Sequence, residues 1–308
     1  MDGAILDVDV KPSAGAQALT AKESPKLLLG LIGSGIQRSL TPAMHEEEAR
    51  HHGLRAHYQL IDLDVSGRGV PALPGLIEAA RVMGFAGLNI TYPCKQAVIP
   101  LLDALSDEAR AMGAVNTVVF RQGRAIGHNT DGSGWAWGFR RALPDANLGC
   151  VVLLGAGGAG SAIAHAVLRL GAQELRVLDT DARRSGALAD ELAQRYPQAR
   201  IQAGTDAVAA LRGANGLIHA TPTGMDKLPG LPLDATLLHP GLWVSEIVYF
   251  PLETELLRQA RARGCATVDG GTMAAGQAID AFRLFTGCQP DTQRMETHLR
   301  GMLAQRGS

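Results

Sequence analysis

The feature that most constrains this chain is a short apolar run that ends directly in glycines. Val151–Leu154 has the composition of a buried strand and leads into Gly155-Ala156-Gly157-Gly158-Ala159-Gly160. The apolar residues that follow recur at helical spacing, from Ile163 to Leu170. A strand, a glycine turn and a helix in this order are typical of a dinucleotide site. Glycine turns also occur without a ligand, so the turn alone does not decide the function.

Each glycine of the turn has a separate mechanical role in such a site. Gly155 permits the tight turn, Gly157 lets the backbone approach a pyrophosphate, and Gly160 lets helix and strand pack closely. The free N–H groups and the dipole at the helix start favour the negative charge. The residues of the turn predicted to bind a cofactor are Gly155, Ala156, Gly157, Gly158 and Ala159.

A second strand strengthens the prediction of nucleotide binding. Leu175–Leu178 is apolar enough for a strand and ends in Asp179. This carboxylate follows the first glycine by about 20 residues, where the adenosine ribose needs a hydrogen-bond acceptor. Strand, glycines, helix, strand and acid are therefore all in register, which favours function over a purely structural turn.

Composition excludes several classes of protein. The net charge is −1 with acids and bases interspersed, so no basic field indicates nucleic acid or an anionic membrane surface. No apolar run reaches about 18 residues, the length of a membrane-spanning helix. The four cysteines form no C-x-x-C pair and the nine histidines show no ligand spacing, so we predict no metal site. We expect reduced thiols and a cytoplasmic protein.

Strands alternate with helices along most of the chain, which predicts an α/β fold. With 308 residues, two domains are expected. We predict an N-terminal α/β substrate domain at 26–131, completed by C-terminal helices at 272–308, and a doubly wound Rossmann-type nucleotide domain at 132–271. Residues 1–25 have neither a continuous apolar segment nor an arginine, so we expect a loose extension rather than a targeting signal.

Several ordered motifs then identify a family. The sequence resembles the shikimate and quinate dehydrogenases from about Lys26 to about Asp291, and most closely their NAD-linked quinate/shikimate branch. The motifs that carry the resemblance are Ser39-Leu40-Thr41-Pro42, Gly87-Leu88-Asn89-Ile90-Thr91-Tyr92-Pro93-Cys94-Lys95, Gly113-Ala114-Val115-Asn116-Thr117, Gly127-His128-Asn129-Thr130-Asp131-Gly132, Ala220-Thr221-Pro222-Thr223-Gly224-Met225, Tyr249-Phe250-Pro251-Leu252-Glu253-Thr254 and Gly276-Gln277-Ala278.

This resemblance implies a role for particular side chains. It makes Lys95 and Asp131 the catalytic pair and adds Thr221 and Pro222 to the cofactor site. The residues it implies as substrate contacts are Ser39, Thr41, Thr91, Asn116, Tyr249 and Gln277.

The chemistry of these residues is consistent with those roles. Ser39 and Thr41 place two hydroxyls beside a helix start, which suits a substrate carboxylate, with Thr41 predicted as the N-cap and Pro42 as the first helical residue. Ser39 is then the hydroxyl more free for substrate. The charge state of Lys95 stays open, because burial favours the neutral amine whereas Asp131 favours the ammonium.

Cofactor choice depends on the residues after the second nucleotide strand. In members of the family that use the phosphorylated cofactor, the residues at this position are similar to Asn-Arg-Thr. This chain has Asp179-Thr180-Asp181 instead. A carboxylate accepts hydrogen bonds from a free ribose diol and repels a 2′-phosphate. We therefore predict NAD, with NADP less favoured, although Arg183 and Arg184 could compensate. Thr41, where a second serine is commoner, also fits the NAD-linked branch.

The resulting hypothesis is an NAD-dependent oxidoreductase that interconverts quinate or shikimate with the 3-dehydro compound. One alternative is a dehydrogenase for shikimate alone or for aminoshikimate. Another, from a different class, is a nucleotide-binding regulator with the same fold and no turnover. The sequence does not decide between quinate and shikimate, nor the oligomeric state, for which a homodimer is one option.

Overall fold

The computed structural model describes residues 25–306 and contains two six-stranded sheets. The first sheet consists of β1 (Lys26–Gly33), β2 (Arg55–Asp62), β3 (Gly87–Ile90), β4 (Ala104–Leu105), β5 (Thr117–Arg121) and β6 (Arg124–His128). The second consists of β7 (Cys150–Leu154), β8 (Glu174–Leu178), β9 (Arg200–Gly204), β10 (Gly216–His219), β11 (Trp243–Glu246) and β12 (Ala266–Val268). We call the parts built on them the first lobe and the second lobe. The predicted extension lies almost wholly outside the described residues.

Twelve α-helices connect and cover the strands within this part of the chain. Those up to the second sheet are α1 (Thr41–His51), α2 (Leu63–Ser66), α3 (Leu73–Val82), α4 (Cys94–Ala97), α5 (Asp107–Met112) and α6 (Asp131–Ala142). The others are α7 (Gly158–Arg169), α8 (Ala182–Arg195), α9 (Ala207–Leu211), α10 (Glu255–Ala262), α11 (Gly270–Thr286) and α12 (Thr292–Arg306).

The two sheets differ in strand direction. The first has the order β2-β1-β3-β5-β6-β4, with β1 parallel to both neighbours and an antiparallel hairpin of β5 and β6. The second is parallel throughout, with the order β12-β11-β10-β7-β8-β9. That order is the doubly wound Rossmann arrangement, in which ligands bind where the strand order reverses, here between β7 and β10. The predicted α/β fold class is therefore confirmed.

Two long helices, α6 and α11, join the lobes. Trp135 and Phe139 of α6 pack into the core of the second lobe, whereas Phe285 of α11 packs on the first sheet. The helices approach at backbone distance, because a Cβ built on Gly276 would lie 2.7 Å from the Cα of Gly134. Only glycine fits at such a crossing, and Asp131 and the Gln277 backbone are thereby held on adjoining helices.

The predicted strands Val151–Leu154 and Leu175–Leu178 are observed as β7 and β8, each one residue longer, and the helix predicted after the glycine turn is α7. Strand β11 ends at Glu246, whose carboxylate accepts the N–H groups of Ile247 and Val248, and the Ile247 N–H also bonds to the His219 carbonyl. The C-terminal helices predicted at 272–308 are α11, which begins slightly earlier at Gly270, and α12, which packs on α1 and α11.

Candidate active site

Lys95 and Asp131 form the centre of the candidate site. Lys95 lies in α4, which follows β3, and Asp131 is the first residue of α6, which follows β6. The Lys95 Nζ is 2.5 Å from the Asp131 Oδ2. The lysine side chain is 25% exposed and the aspartate 9%, so the pair can be reached by a ligand but is largely shielded from water. The structure thus brings the predicted catalytic residues into direct contact.

Asn116 fixes the other oxygen of the carboxylate. Its Nδ2 donates to the Asp131 Oδ1 at 2.8 Å and to the Thr130 hydroxyl at 3.0 Å. Its Oδ1 accepts from the Thr130 backbone N–H at 2.8 Å. Both amide hydrogens are therefore already used within the protein, so Asn116 orients Asp131 in this structure. Direct contact with substrate, the role predicted for it, stays a prediction.

A buried hydrogen-bond chain behind Asn116 was not foreseen in the sequence. The Tyr58 hydroxyl donates to Asn89 at 2.6 Å, Asn89 donates to the Thr117 hydroxyl at 3.1 Å, and that hydroxyl donates to Asn116 at 3.0 Å. All four residues are at least 94% buried. The signal that could have revealed it is Asn89, a polar residue inside the otherwise apolar strand β3.

The structure corrects the prediction that Thr41 caps α1. The N-cap is Leu40, which offers no side-chain cap, and Thr41 is the first helical residue. Ser39 instead accepts the Thr41 N–H at 3.3 Å and donates its hydroxyl to the Thr41 Oγ1 at 3.0 Å. Pro42 fits the second helical position because it lacks the N–H that would be unpaired there. The proton of the Ser39 hydroxyl is therefore occupied, and that of Thr41 faces no protein acceptor within the described residues.

Asp62, at the end of β2, holds the loop that carries these hydroxyls. Its carboxylate accepts the backbone N–H groups of Gly35 and Ile36, each at 3.1 Å, and the Gln37 side-chain amide at 3.1 Å. Burial raises the pKa of the Asp62 carboxyl, but these hydrogen bonds outweigh burial and leave the pKa below its usual value. Sequence inspection did not single out Asp62.

The remaining predicted substrate residues approach from different elements. Thr91 directly follows β3 and precedes the turn to Lys95. The backbone carbonyl of Gln277 accepts from the Thr130 hydroxyl at 3.1 Å, which places Gln277 beside Asp131. Tyr249, in the loop after β11, is 47% exposed. Its neighbour Phe250 stacks under the Arg38 guanidinium at 5.3 Å, so the loops that carry Tyr249 and Ser39 meet across the lobes.

The glycine turn between β7 and α7 has the geometry that a dinucleotide needs. Gly155 has φ = 101°, and a Cβ there would lie 2.6 Å from the Ala220 carbonyl oxygen. A Cβ on Gly160 would collide with the Gly155 carbonyl oxygen. By contrast, nothing lies within 4 Å of a Cβ built on Gly157 or Gly158, and both are exposed. Gly155 and Gly160 thus serve packing, whereas Gly157 and Gly158 leave backbone N–H groups open to a ligand.

Asp179 is linked directly to this turn. Its Oδ2 accepts the Ala156 N–H at 2.9 Å and its Oδ1 accepts the Asp181 N–H at 3.0 Å. Burial raises the pKa of Asp179, but these backbone donors prevail and keep the pKa below its usual value. Asp181 caps α8 and forms an ion pair with Arg183, so the Arg183 side chain lies at the start of α8.

Thr221 and Pro222 follow β10, on the other side of the reversal point from the glycine turn. The Thr221 methyl would lie 3.1 Å from a Cβ on Gly155, so this side chain borders the turn.

Between residues 25 and 306, no group of three or more His, Cys, Asp or Glu side chains is arranged to hold a metal ion. In the same range, no helix is long and apolar enough to cross a membrane.

Comparisons with known proteins agree with this geometry. Residues 31–118 match the model of the shikimate dehydrogenase substrate binding domain. The chain is 60% identical over 270 residues to a shikimate dehydrogenase (NADP(+)) of Streptomyces avermitilis, covering 87% of this chain and 93% of that protein. It is 48% identical over 273 residues to a quinate/shikimate dehydrogenase (NAD(+)) of Corynebacterium efficiens, covering 87% and 96%.

A solved structure shows the same fold. The quinate dehydrogenase of Corynebacterium glutamicum in complex with NAD superposes with a TM-score of 0.85 at 45% identity, covering 90% of this chain and all of that chain. The names of the relatives divide between NAD and NADP, so the comparisons support a nicotinamide dinucleotide without choosing one. With this extent of identity and coverage, the chain belongs to the shikimate dehydrogenase family of oxidoreductases.

Proposed function

We propose that this protein is an NAD-dependent dehydrogenase that interconverts quinate, shikimate or both with their 3-dehydro forms. The observation that carries the proposal is the contact between Lys95 and Asp131, with Asp131 held from behind by Asn116. When bound, the nicotinamide accepts or delivers a hydride. The residues of the chain supply the proton transfer, in which the Lys95 Nζ gives or takes the proton of the reacting oxygen while Asp131 keeps the amine in place.

Other groups orient the substrate. The Thr41 hydroxyl and the N-terminal N–H groups of α1 receive the substrate carboxylate, with Ser39 aligning Thr41. Thr91 and Gln277 pair with ring hydroxyls beside Asp131, and Tyr249 closes the cleft from the second lobe. A polyol needs such paired donors and acceptors, because an unpaired buried hydroxyl costs about 1–3 kcal/mol.

The preference for NAD rests on Asp179. Its carboxylate is fixed at the glycine turn by Ala156, and no arginine replaces it at the end of β8. The exposed backbone of Gly157 and Gly158 receives the pyrophosphate, and the ribose diol donates to Asp179. A 2′-phosphate beside this carboxylate is repelled. The NADP-named relative makes cofactor choice the part of the proposal that most needs a direct test.

The test is an absorbance assay at the reduced-nicotinamide band with quinate and shikimate, each combined with NAD and with NADP. We expect the largest kcat/KM with NAD. A preference for NADP contradicts the cofactor assignment, and activity with shikimate alone supports the alternative of a shikimate-specific enzyme. Aminoshikimate is assayed in parallel. Dinucleotide binding without turnover of any substrate supports a non-catalytic regulator and overturns the proposal.

The domain limits at 26–131 and 132–271, with 272–308 completing the first domain, are retained as predictions. So are the cytoplasmic location and the homodimer. Limited proteolysis tests the domain limits, and sedimentation at several protein concentrations tests the homodimer.

A further inference from the structure

A buried histidine and glutamate lie beneath the dinucleotide crevice without a role in the proton transfer described above. His219 ends β10 and Glu246 ends β11, and the two residues are paired directly across the sheet. Neither side chain is exposed. The His219 Nδ1 is 2.8 Å from the Glu246 Oε1, and the His219 Nε2 is 2.5 Å from the Thr221 Oγ1. Thr221 thus connects this buried pair to the turn at Gly155.

The surroundings of Glu246 determine the direction of these hydrogen bonds. The carboxylate accepts the N–H groups of Ile247 at 2.8 Å and Val248 at 3.0 Å, and the Thr254 hydroxyl at 2.9 Å. An acceptor surrounded by donors also takes the Nδ1 proton of His219. In the tautomer that carries its proton on Nδ1, the Nε2 has no proton and is an acceptor.

It follows that the Thr221 hydroxyl donates its proton to His219. The backbone N–H of Thr223 donates to the same hydroxyl oxygen at 3.4 Å. The oxygen keeps a lone pair for an outside donor but has no proton left to give. Thr221 is partly exposed and borders the turn at Gly155, at the strand-order reversal where a dinucleotide binds and on the side away from Asp179.

We propose that His219 and Glu246 are positioning residues that hold the Thr221 hydroxyl as an acceptor for an N–H or O–H donor on the nicotinamide half of the cofactor. The inference rests on the proposed function, since it requires dinucleotide binding in this crevice. It adds the orientation and the polarity of one contact, and it assigns a role to two buried groups that otherwise have none.

The test measures the dissociation constants of NADH and of ADP, which lacks the nicotinamide half, by fluorescence or calorimetry without turnover. If wild type binds NADPH more tightly than NADH, NADPH is used instead of NADH in these measurements. Thr221→Val removes the hydroxyl at constant shape, and we expect about a five- to tenfold weaker NADH affinity with ADP affinity unchanged. Equal losses for both ligands, or no loss, overturn the proposal.

Two substitutions of His219 separate positioning from a general structural effect. Asparagine can still donate to Glu246 at the Nδ1 position but cannot reach Thr221, whereas glutamine can present an amide oxygen near the Nε2 position. We expect His219→Asn to weaken NADH binding as Thr221→Val does, and His219→Gln to weaken it less. Combining His219→Asn with Thr221→Val should add no further loss, since both remove the same contact.

Additive losses in the double variant contradict the inference, because His219 would then act independently of Thr221. The matched control is His165→Asn, which alters another fully buried histidine of the second lobe without contact to Thr221. It should lower thermal stability but leave the ratio of NADH to ADP affinity as in wild type. A wild type that binds no dinucleotide overturns the proposed function itself, whereas wild-type binding with an unaffected Thr221→Val overturns this inference alone.

Discussion

The two sides of the candidate cleft hold their polar groups in different ways. In the first lobe, Asp131 is fixed by two side chains, Lys95 and Asn116, and Asn116 is backed by a buried chain. In the second lobe, the groups proposed to meet the dinucleotide are the exposed backbone of Gly157 and Gly158, the partly exposed Asp179 and the Thr221 hydroxyl. The chemistry of the first lobe depends on side chains, and the binding by the second depends largely on main chain.

This difference has a consequence for mutations. A substitution in the first lobe removes a side chain for which the backbone offers no substitute, so the reaction rate should fall steeply. A substitution at the surface of the second lobe leaves the N–H groups of the glycine turn in place. There we expect changes in which dinucleotide binds rather than loss of reaction.

The largest expected effect is that of Lys95→Ala. Without the amine, the proton of the reacting oxygen has no positioned partner, and kcat should fall by at least about 100-fold with a smaller change in KM. Steady-state assays with the preferred substrate and dinucleotide measure both constants. Lys26→Ala, at the exposed start of β1, is the control and should leave both constants unaltered. Retained turnover in Lys95→Ala would remove this residue from the mechanism.

The next prediction compares the acid sensitivity of the two lobes. His45 in the first lobe and His165 in the second are fully buried. Burial lowers the pKa of His45 to about 3 and, as the main cause, that of His165 to about 4, from an ordinary value of 6.5. Each unfolded histidine therefore binds a proton as the pH falls below about 6.5, whereas the folded one does not until near its own pKa. The free energy of unfolding is therefore at its full value above about pH 6.5 and decreases as the pH falls below it.

Between pH 7.5 and 5, each histidine should reduce the free energy of unfolding by about 2 kcal/mol. Urea denaturation across this range measures the slope. His45→Leu and His165→Leu should each remove about half of the pH dependence that the pair contributes, whatever each does to stability at pH 7.5. A variant that keeps the wild-type slope shows that its histidine is not the source of the acid sensitivity.

A smaller effect is expected at Asp179, the carboxylate of the second lobe that is proposed to select NAD. Asp179→Ser removes the charge that opposes a 2′-phosphate, so the ratio of kcat/KM for NADP to that for NAD should rise by about tenfold, or 1.4 kcal/mol. The kcat with NAD should change little, because the glycine turn is intact. Asp181→Ser is the matched control, since serine still caps α8. An unchanged ratio in Asp179→Ser would place cofactor selection elsewhere.

The same contrast explains how much of the molecule could be predicted from sequence. The second lobe follows from local patterns, because Gly155, Gly157, Gly160 and Asp179 have their roles in a strand–turn–helix unit that is continuous in the chain. In the first lobe, the pairing of Lys95 with Asp131 was implied only by the family resemblance, since the two are 36 residues apart and on different elements. Elementary spacing rules do not reach across such a distance.

What could not be predicted depends on packing in three dimensions. The close crossing of α6 and α11 at Gly134 and Gly276 involves residues far apart in sequence, and isolated glycines in helical patterns favour no particular partner. Thr41 had the residue type and position of an N-cap, but the Met44 N–H bonds to the Leu40 carbonyl, so α1 begins at Thr41, whose own N–H is accepted by the Ser39 hydroxyl. This shift of one residue at a helix start depends on backbone geometry that the residue types do not encode.

The smallest effect on rate is expected at the far end of the buried chain in the first lobe. Tyr58→Phe removes only the hydroxyl that donates to Asn89, three hydrogen bonds away from the Asn116 amide that holds Asp131. Asn89 keeps its donations to Thr117 and to the Asn116 carbonyl, so its orientation should be largely preserved. We expect kcat to fall only about two- to threefold, while the free energy of unfolding falls by about 1–2 kcal/mol, because a buried acceptor loses its partner.

Thr117→Val breaks the same chain one hydrogen bond from Asn116 and should lower kcat more than Tyr58→Phe does, at a similar cost in stability. Steady-state kinetics and urea denaturation on both variants give the two quantities. If the chain only stabilises the fold, the fall in kcat will not depend on the distance from Asp131. A graded fall, steeper towards Asp131, indicates that the first lobe holds its carboxylate through side chains several bonds deep, whereas the proposed pyrophosphate site of the second lobe depends on main chain.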